Sequence, residues 1–124
     1  MDSTQQIRRV LVVDDEPALL KAIATILQGA GFQVFTAKNG REARAMASEH
    51  QVDLLITDLG MPDEDGIELV RRLKAEGHEL KIIAMSGTFG PDLLKIAQLL
   101  GANATLSKPM TASQLLDCIH KLDG

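Results

Sequence analysis

Hydrophobic residues along this chain fall into two alternating patterns. Short apolar runs at 10–13, 33–36, 53–57, 81–85 and 104–106 are rich in Val, Ile and Leu. Runs of that length and composition suit strands buried on both faces of a parallel sheet. Between them, apolar residues recur about every 3.6 positions, as on a helix with one buried stripe. Leu19, Leu20, Ile23, Ile26 and Leu27 form the first stripe, closed by Gly29 and Gly31 as stop signals. An Ala-rich helix is predicted over 42–49, and Ile67, Leu69, Val70 and Leu73 mark a third that ends near Gly77. Leu93, Ile96, Ala97 and Leu100 define an inward face for a fourth helix, with Leu94 and Leu99 on its flanks. Pro91 stands near its start and Gly101 past its end. Leu115, Leu116, Ile119 and Leu122 mark a fifth, entered through Thr111 as N-cap.

Strict alternation of strand and helix implies right-handed βαβ crossovers and an open α/β fold, a parallel sheet with helices on both faces. No linker divides the pattern, so a single domain over 1–124 is expected, with its core at about 8–122. In such sheets the ligand crevice lies at the carboxyl ends of the strands, where strand order reverses.

Composition narrows the picture in two places. Aromatic residues make up only 2%, namely Phe32, Phe35 and Phe89, so the core must be aliphatic and base-stacking platforms are missing. A formal charge of -4, with no basic patch in the sequence, argues against direct binding of nucleic acid. Cys118 is the single cysteine, which excludes an internal disulfide and a Cys-based zinc site. The first apolar run is too short for a signal peptide or a membrane span, and a cytoplasmic protein is expected.

The strand ends carry the chemistry. The first strand runs into Asp14, Asp15 and Glu16, the third ends at Asp58, the fourth at Ser86 and Gly87, and the fifth at Ser107 and Lys108. Any one acid here has an ordinary use as a helix N-cap. The set differs, because the apolar strands deliver three carboxylates and a lysine to one edge. If the first and third strands are neighbours, Asp14, Asp15 and Asp58 converge, and like charges that close raise one another's pKa or demand a cation. Carboxylate donors without a His or Cys cluster select a hard ion, and Mg²⁺ suits them. His50, His78 and His120 are scattered and read as surface residues. A calcium loop around Asp63, Glu64, Asp65 and Gly66 fails: with Gly66 at its sixth position, Met61 and Arg72 occupy places that need carboxylates. Asp53 reads as a strand start, and Cys118 as packing beside the last helical stripe.

The Asp14-Asp15 pair, the run Asp58-Leu59-Gly60-Met61-Pro62, Ser86-Gly87 and Lys108-Pro109, in this order, resemble the receiver domain of bacterial two-component response regulators. The resemblance covers nearly the whole chain. It implies a flavodoxin- or CheY-like sheet of order 2-1-3-4-5 with five helices on both faces. It also implies a phosphorelay role in which Asp58 accepts a phosphoryl group from a phosphohistidine on a sensor histidine kinase or histidine phosphotransfer protein. Asp15 and Asp58 would then ligate Mg²⁺, Asp14 would act through a bound water, and the Gly60 backbone carbonyl would add a ligand. Lys108 would offset phosphoryl charge, Ser86 would donate its hydroxyl, and the bond before Pro109 would be cis. On this reading the chain is a phosphoryl acceptor that assists its own phosphorylation and dephosphorylation, not an enzyme acting on a separate substrate. Downstream partners would be a protein or an output domain.

This sequence departs from the family at Thr105, where members usually carry Tyr or Phe three residues before the lysine. In the family that ring moves inward on phosphorylation, so the departure bears on signal output and leaves the acceptor chemistry intact. Two alternatives stand beside the receiver reading: a Mg²⁺-dependent aspartyl phosphohydrolase, and a degenerate receiver acting by protein contact alone. The first lacks a cap domain in this sequence, and the second would not need the full set of acceptor residues.

Overall fold

A computed structural model describes residues 6–61, 66–87 and 91–123, the side chains of 91–94 excepted. Five strands alternate with five helices: β1 (Arg9–Val13), α1 (Pro17–Gly29), β2 (Gln33–Ala37), α2 (Gly40–Glu49), β3 (Leu54–Asp58), α3 (Gly66–Ala75), β4 (Lys81–Ser86), α4 (Pro91–Leu99), β5 (Ala104–Ser107) and α5 (Ala112–Asp123). The strands form one parallel sheet of order β2-β1-β3-β4-β5. Each strand begins and ends within about one residue of the apolar run that announces it.

Alternation along the buried strands feeds two cores. Val10 and Val12 of β1, Leu54 and Ile56 of β3, and Ile83 and Met85 of β4 pack with Ile23, Leu27, Leu115 and Ile119 of α1 and α5. Leu11, Val13, Leu55 and Ile82 point the other way, against Ala43 and Ala47 of α2 and Leu69, Val70 and Leu73 of α3. The largest fully buried side chains are all Leu, Ile or Met, so the core is aliphatic as the composition requires. Phe32 and Phe35 are half-buried at its margin, while Phe89 lies outside the described residues. Asp53, expected at the strand start, sits one residue before β3 and accepts the Arg8 and Arg9 backbone N–H groups at 2.9 Å each, which ties the foot of β3 to that of β1.

Helix ends follow local chemistry. Thr111 caps α5 through Oγ1, which accepts the Gln114 N–H at 3.0 Å, and Gln114 Oε1 returns the bond to the Thr111 N–H at 2.8 Å. Gly31, with φ of 99°, turns the chain out of α1. Cys118 is half-buried among the α1 and α5 side chains, and burial pushes its thiol above the usual range. His50 and His78 are less superficial than their scatter suggests: His50 stacks on Phe35 at 4.2 Å between ring centroids, and His78 is half-buried beside Glu76.

One helical stripe is rotated from its expected place. Ala97 is fully buried in α4, but Ile96, expected to face inward, is 45% exposed, and Leu99 is 83% exposed. Successive residues lie about 100° apart around a helix, so a face centred on Ala97 puts Ile96 on its rim. The side chains of Leu93 and Leu94 lie outside the described residues. No helix among the described residues is long and apolar enough to cross a membrane.

Candidate functional site

β1 has β2 on one side and β3 on the other, so the crevice between the β1 and β3 ends is where strand order reverses. Val13 pairs with Thr57 in register, which sets Asp14 and Asp58 side by side at the top of adjacent strands. Carboxylate oxygens of Asp14, Asp15 and Asp58 all come within 4.8 Å of one another. Asp14 is fully buried and Asp58 is 7% exposed, while Asp15 faces solvent.

Lys108 reaches this cluster from the end of β5. Its Nζ donates to Asp14 Oδ2 at 2.8 Å and lies 3.4 Å from Asp58 Oδ2, with Glu16 Oε1 at 4.0 Å. Burial pulls this ammonium down, but the hydrogen bond to Asp14 and the charges of Asp58 and Asp14 outweigh it and hold the group above the usual lysine range. The lysine therefore stays cationic beside the three acids. The peptide bond between Lys108 and Pro109 is cis.

The remaining bonds fix the carboxylates. Asp14 Oδ1 accepts the Glu16 N–H at 2.9 Å, so the buried acid has both oxygens engaged, one by the backbone and one by the lysine. Glu16 itself stands at the N-cap of α1 without a side-chain capping bond. Asp58 Oδ1 accepts the Gly60 N–H at 3.3 Å. Ser86 is buried at the end of β4, and its carbonyl accepts the Lys108 N–H at 2.9 Å. Asp15, Glu16, Asp58, Gly60, Ser86, Gly87 and Lys108 together line a cleft of about 240 Å³. Every residue that the sequence assigned to the site comes to this one edge.

Two glycines matter more than their sequence context indicates. Gly66 is the first residue of α3. A Cβ there would run into the Asp58 carbonyl oxygen and come within 2.8 Å of Leu59 Cα, so α3 packs directly on the end of β3. At Gly87 a Cβ would sit 3.0 Å from Lys108 Cβ, so the lysine stem lies across that glycine. Met61 is buried against the α2 and α3 core. Thr105 is half-buried and pairs with Ala84. Pro62, Asp63, Glu64 and Asp65 lie outside the described residues.

The donor set fits a hard divalent ion: oxygen donors alone, three of them carboxylates, one exposed to solvent and able to meet an incoming hydrated cation. Saturating Mg²⁺ should therefore raise the thermal midpoint by several degrees, since an ion bound at a hundredfold its Kd adds about 2.7 kcal/mol by linkage. Unfolding with and without Mg²⁺ measures this, and equal midpoints would argue against a metal site.

Comparison with known proteins agrees with this geometry. The family described as response regulator receiver domain matches residues 10–120. Sporulation initiation phosphotransferase F of Bacillus subtilis is 27% identical over 113 residues, covering 91% of each protein. The virulence transcriptional regulatory protein PhoP of Salmonella typhimurium is 35% identical over 87% of this chain, but the match spans only 48% of PhoP, about half its length. Among solved structures, chemotaxis response regulator CheY4 of Vibrio cholerae superposes with a TM-score of 0.87 at 29% identity, covering 94% of this chain and 99% of its own. A response regulator receiver domain protein from Clostridium thermocellum does so with a TM-score of 0.87 at 31% identity, covering 93% of each.

Proposed function

Because this chain belongs to the response regulator receiver domain family, we propose that Asp58 accepts a phosphoryl group from a phosphohistidine on a sensor kinase or phosphotransfer protein. The observation that carries this reading is the convergence of Asp14, Asp15 and Asp58 on one crevice with the Lys108 ammonium already at hydrogen-bond distance.

A carboxylate oxygen of Asp58 attacks phosphorus in line with the imidazole nitrogen. The P–O bond forms as the P–N bond breaks, and the imidazole leaves. Little covalent chemistry is asked of the protein beyond holding the nucleophile and offsetting charge. The Gly60 N–H restrains one oxygen of Asp58. Lys108, held cationic 3.4 Å from Asp58 Oδ2, would offset the charge that develops on the phosphoryl oxygens. The Ser86 hydroxyl, buried at the neighbouring strand end, is the donor for a phosphoryl oxygen once the acyl phosphate exists. Asp15 and Asp58, with Asp14 through a water and the Gly60 carbonyl, would hold Mg²⁺. When bound, the ion supplies positive charge against the acidic cluster and the transferring group.

The test is incubation with Mg²⁺ and a small phosphodonor, followed by intact mass and fragmentation. One added phosphoryl group located on Asp58 is expected. No addition, or turnover of unrelated phosphomonoesters, would count against the reading and favour a contact-only module or a phosphohydrolase respectively.

A further inference from the structure

The opposite edge of the sheet holds a second cleft, of about 360 Å³, larger than the one around Asp58. It opens at the amino ends of the strands, where Asp53 leads into β3, Lys81 begins β4 and Asn103 leads into β5. Lys74, from the last turn of α3, closes one side. Its stem lies across Gly101, whose φ of 114° and missing Cβ leave room for it: a Cβ there would come within 2.9 Å of Lys74 Cε. The lysine is thus laid against the turn between α4 and β5.

Two lysines and two acids line this cleft, and the lysines are left without partners among the described residues. Lys74 and Lys81 form no ion pair among the described residues, so both ammonium groups keep their donors for an incoming molecule. Asn103 is clamped to β4, where its N–H donates to the Ile82 carbonyl at 2.8 Å and its Oδ1 accepts the Ile82 N–H at 2.8 Å. With Oδ1 used in that way, the side-chain NH₂ is the part of the amide left to face the cleft. Two acids also border it. Asp53 already accepts the Arg8 and Arg9 N–H groups on Oδ2, and Glu79 is exposed. His78 lines the rim with Nε2 3.5 Å from Glu76 Oε1.

We propose that this amino-edge cleft binds a small phosphate-bearing anion, held by the Lys74 and Lys81 ammonium groups and the Asn103 amide. Lysines bind phosphate as compact point charges and need no planar match, which suits two flexible stems lining one cleft. A nucleic acid backbone fits less well, because a long polyanion would also meet the acid-rich remainder of a protein with formal charge -4.

The probe is inorganic pyrophosphate, titrated without Mg²⁺ at constant ionic strength and followed by amide chemical shifts, with chloride as the control anion. Saturable shifts centred on 74, 78–81 and 101–103 are expected, with a Kd on the order of millimolar. The Lys74→Gln/Lys81→Gln double variant should bind on the order of tenfold more weakly. Asn103→Asp keeps an oxygen to accept the Ile82 N–H but replaces the donor with negative charge, and it should weaken binding to a similar degree. Asp58→Asn should bind pyrophosphate as the parent does, which separates this cleft from the acceptor site. Shifts centred on 14–16, 58 and 108, shifts that chloride reproduces, or affinity untouched by both cleft variants would each overturn the proposal.

Discussion

The Asp58→Asn variant should fold at least as stably as the parent chain and yet take up no phosphoryl group at this site. Three carboxylates lie within 4.8 Å of one another, and only one ammonium, that of Lys108, contacts the cluster among the described residues. Removing one negative charge while keeping the side chain's size relieves repulsion and leaves the Asp14–Lys108 bond at 2.8 Å in place. An amide oxygen still accepts the Gly60 N–H, so the strand end keeps its shape. The nucleophile, however, is gone, because an amide does not attack phosphorus under conditions where a carboxylate does. Thermal unfolding and intact mass after treatment with Mg²⁺ and a small phosphodonor check both halves. Loss of phosphoryl uptake with a thermal midpoint equal to or above the parent's separates lost chemistry from lost fold. Undiminished uptake would place the acceptor elsewhere.

The three central strands are legible in the sequence because their burial is nearly all-or-none, whereas the edge strands β2 and β5, expected to be buried on both faces, are only partly so. Val10–Val13 of β1 and the whole of β3 are buried, and aliphatic runs such as Val10–Val13 and Leu54–Ile56 have few other uses in a chain of this composition. The fourth helix is less legible. Its periodicity admits Ile96 as an inward residue, but which side of a short helix faces the sheet is decided by packing against β4 and β5, not by the stripe alone. The depth of His50 escapes the sequence for a similar reason. A polar ring at the end of α2 gains more from stacking on Phe35 of the edge strand than its isolated position indicates.

The site is legible where its residues follow strands directly. Strand register converts the positions of Asp14 and Asp58 into proximity, so a pattern of apolar runs ending in acids carries three-dimensional information. Parts that depend on close approach between segments are not. Nothing about Gly66 in sequence separates a turn glycine from one that lets a helix touch a strand. The same holds for Gly87 beneath the Lys108 stem. The amino-edge cleft is hidden for another reason: Lys74, Lys81 and Asn103 belong to a helix end, a strand start and a turn, and only the packing of α3 beside the α4–β5 turn joins them.

Gly66→Ala should be a costly change although it adds a single methyl group. The added Cβ meets the Asp58 carbonyl oxygen, Leu59 Cα at 2.8 Å and the Asp58 carbonyl carbon at 2.9 Å, all of them backbone. No flexible side chain can yield, so α3 must slide or the end of β3 must bend. Ordinarily an Ala for Gly exchange inside a helix is favourable by roughly 0.5–1 kcal/mol. Here overpacking should reverse that sign and cost about 2–4 kcal/mol, a fall in Tm on the order of 10 °C for a domain of this size. Gly29→Ala is the matched control, since a Cβ at that helical position meets nothing within 4 Å and should leave stability unchanged or slightly raised. Because the clash falls on Asp58, the proposed acceptor, phosphoryl uptake by the folded Gly66→Ala protein should also slow, while that of Gly29→Ala should not. Thermal unfolding and time-resolved mass measurement on the two variants decide it. Equal midpoints and equal uptake would mean that α3 does not rest on the acceptor strand as described.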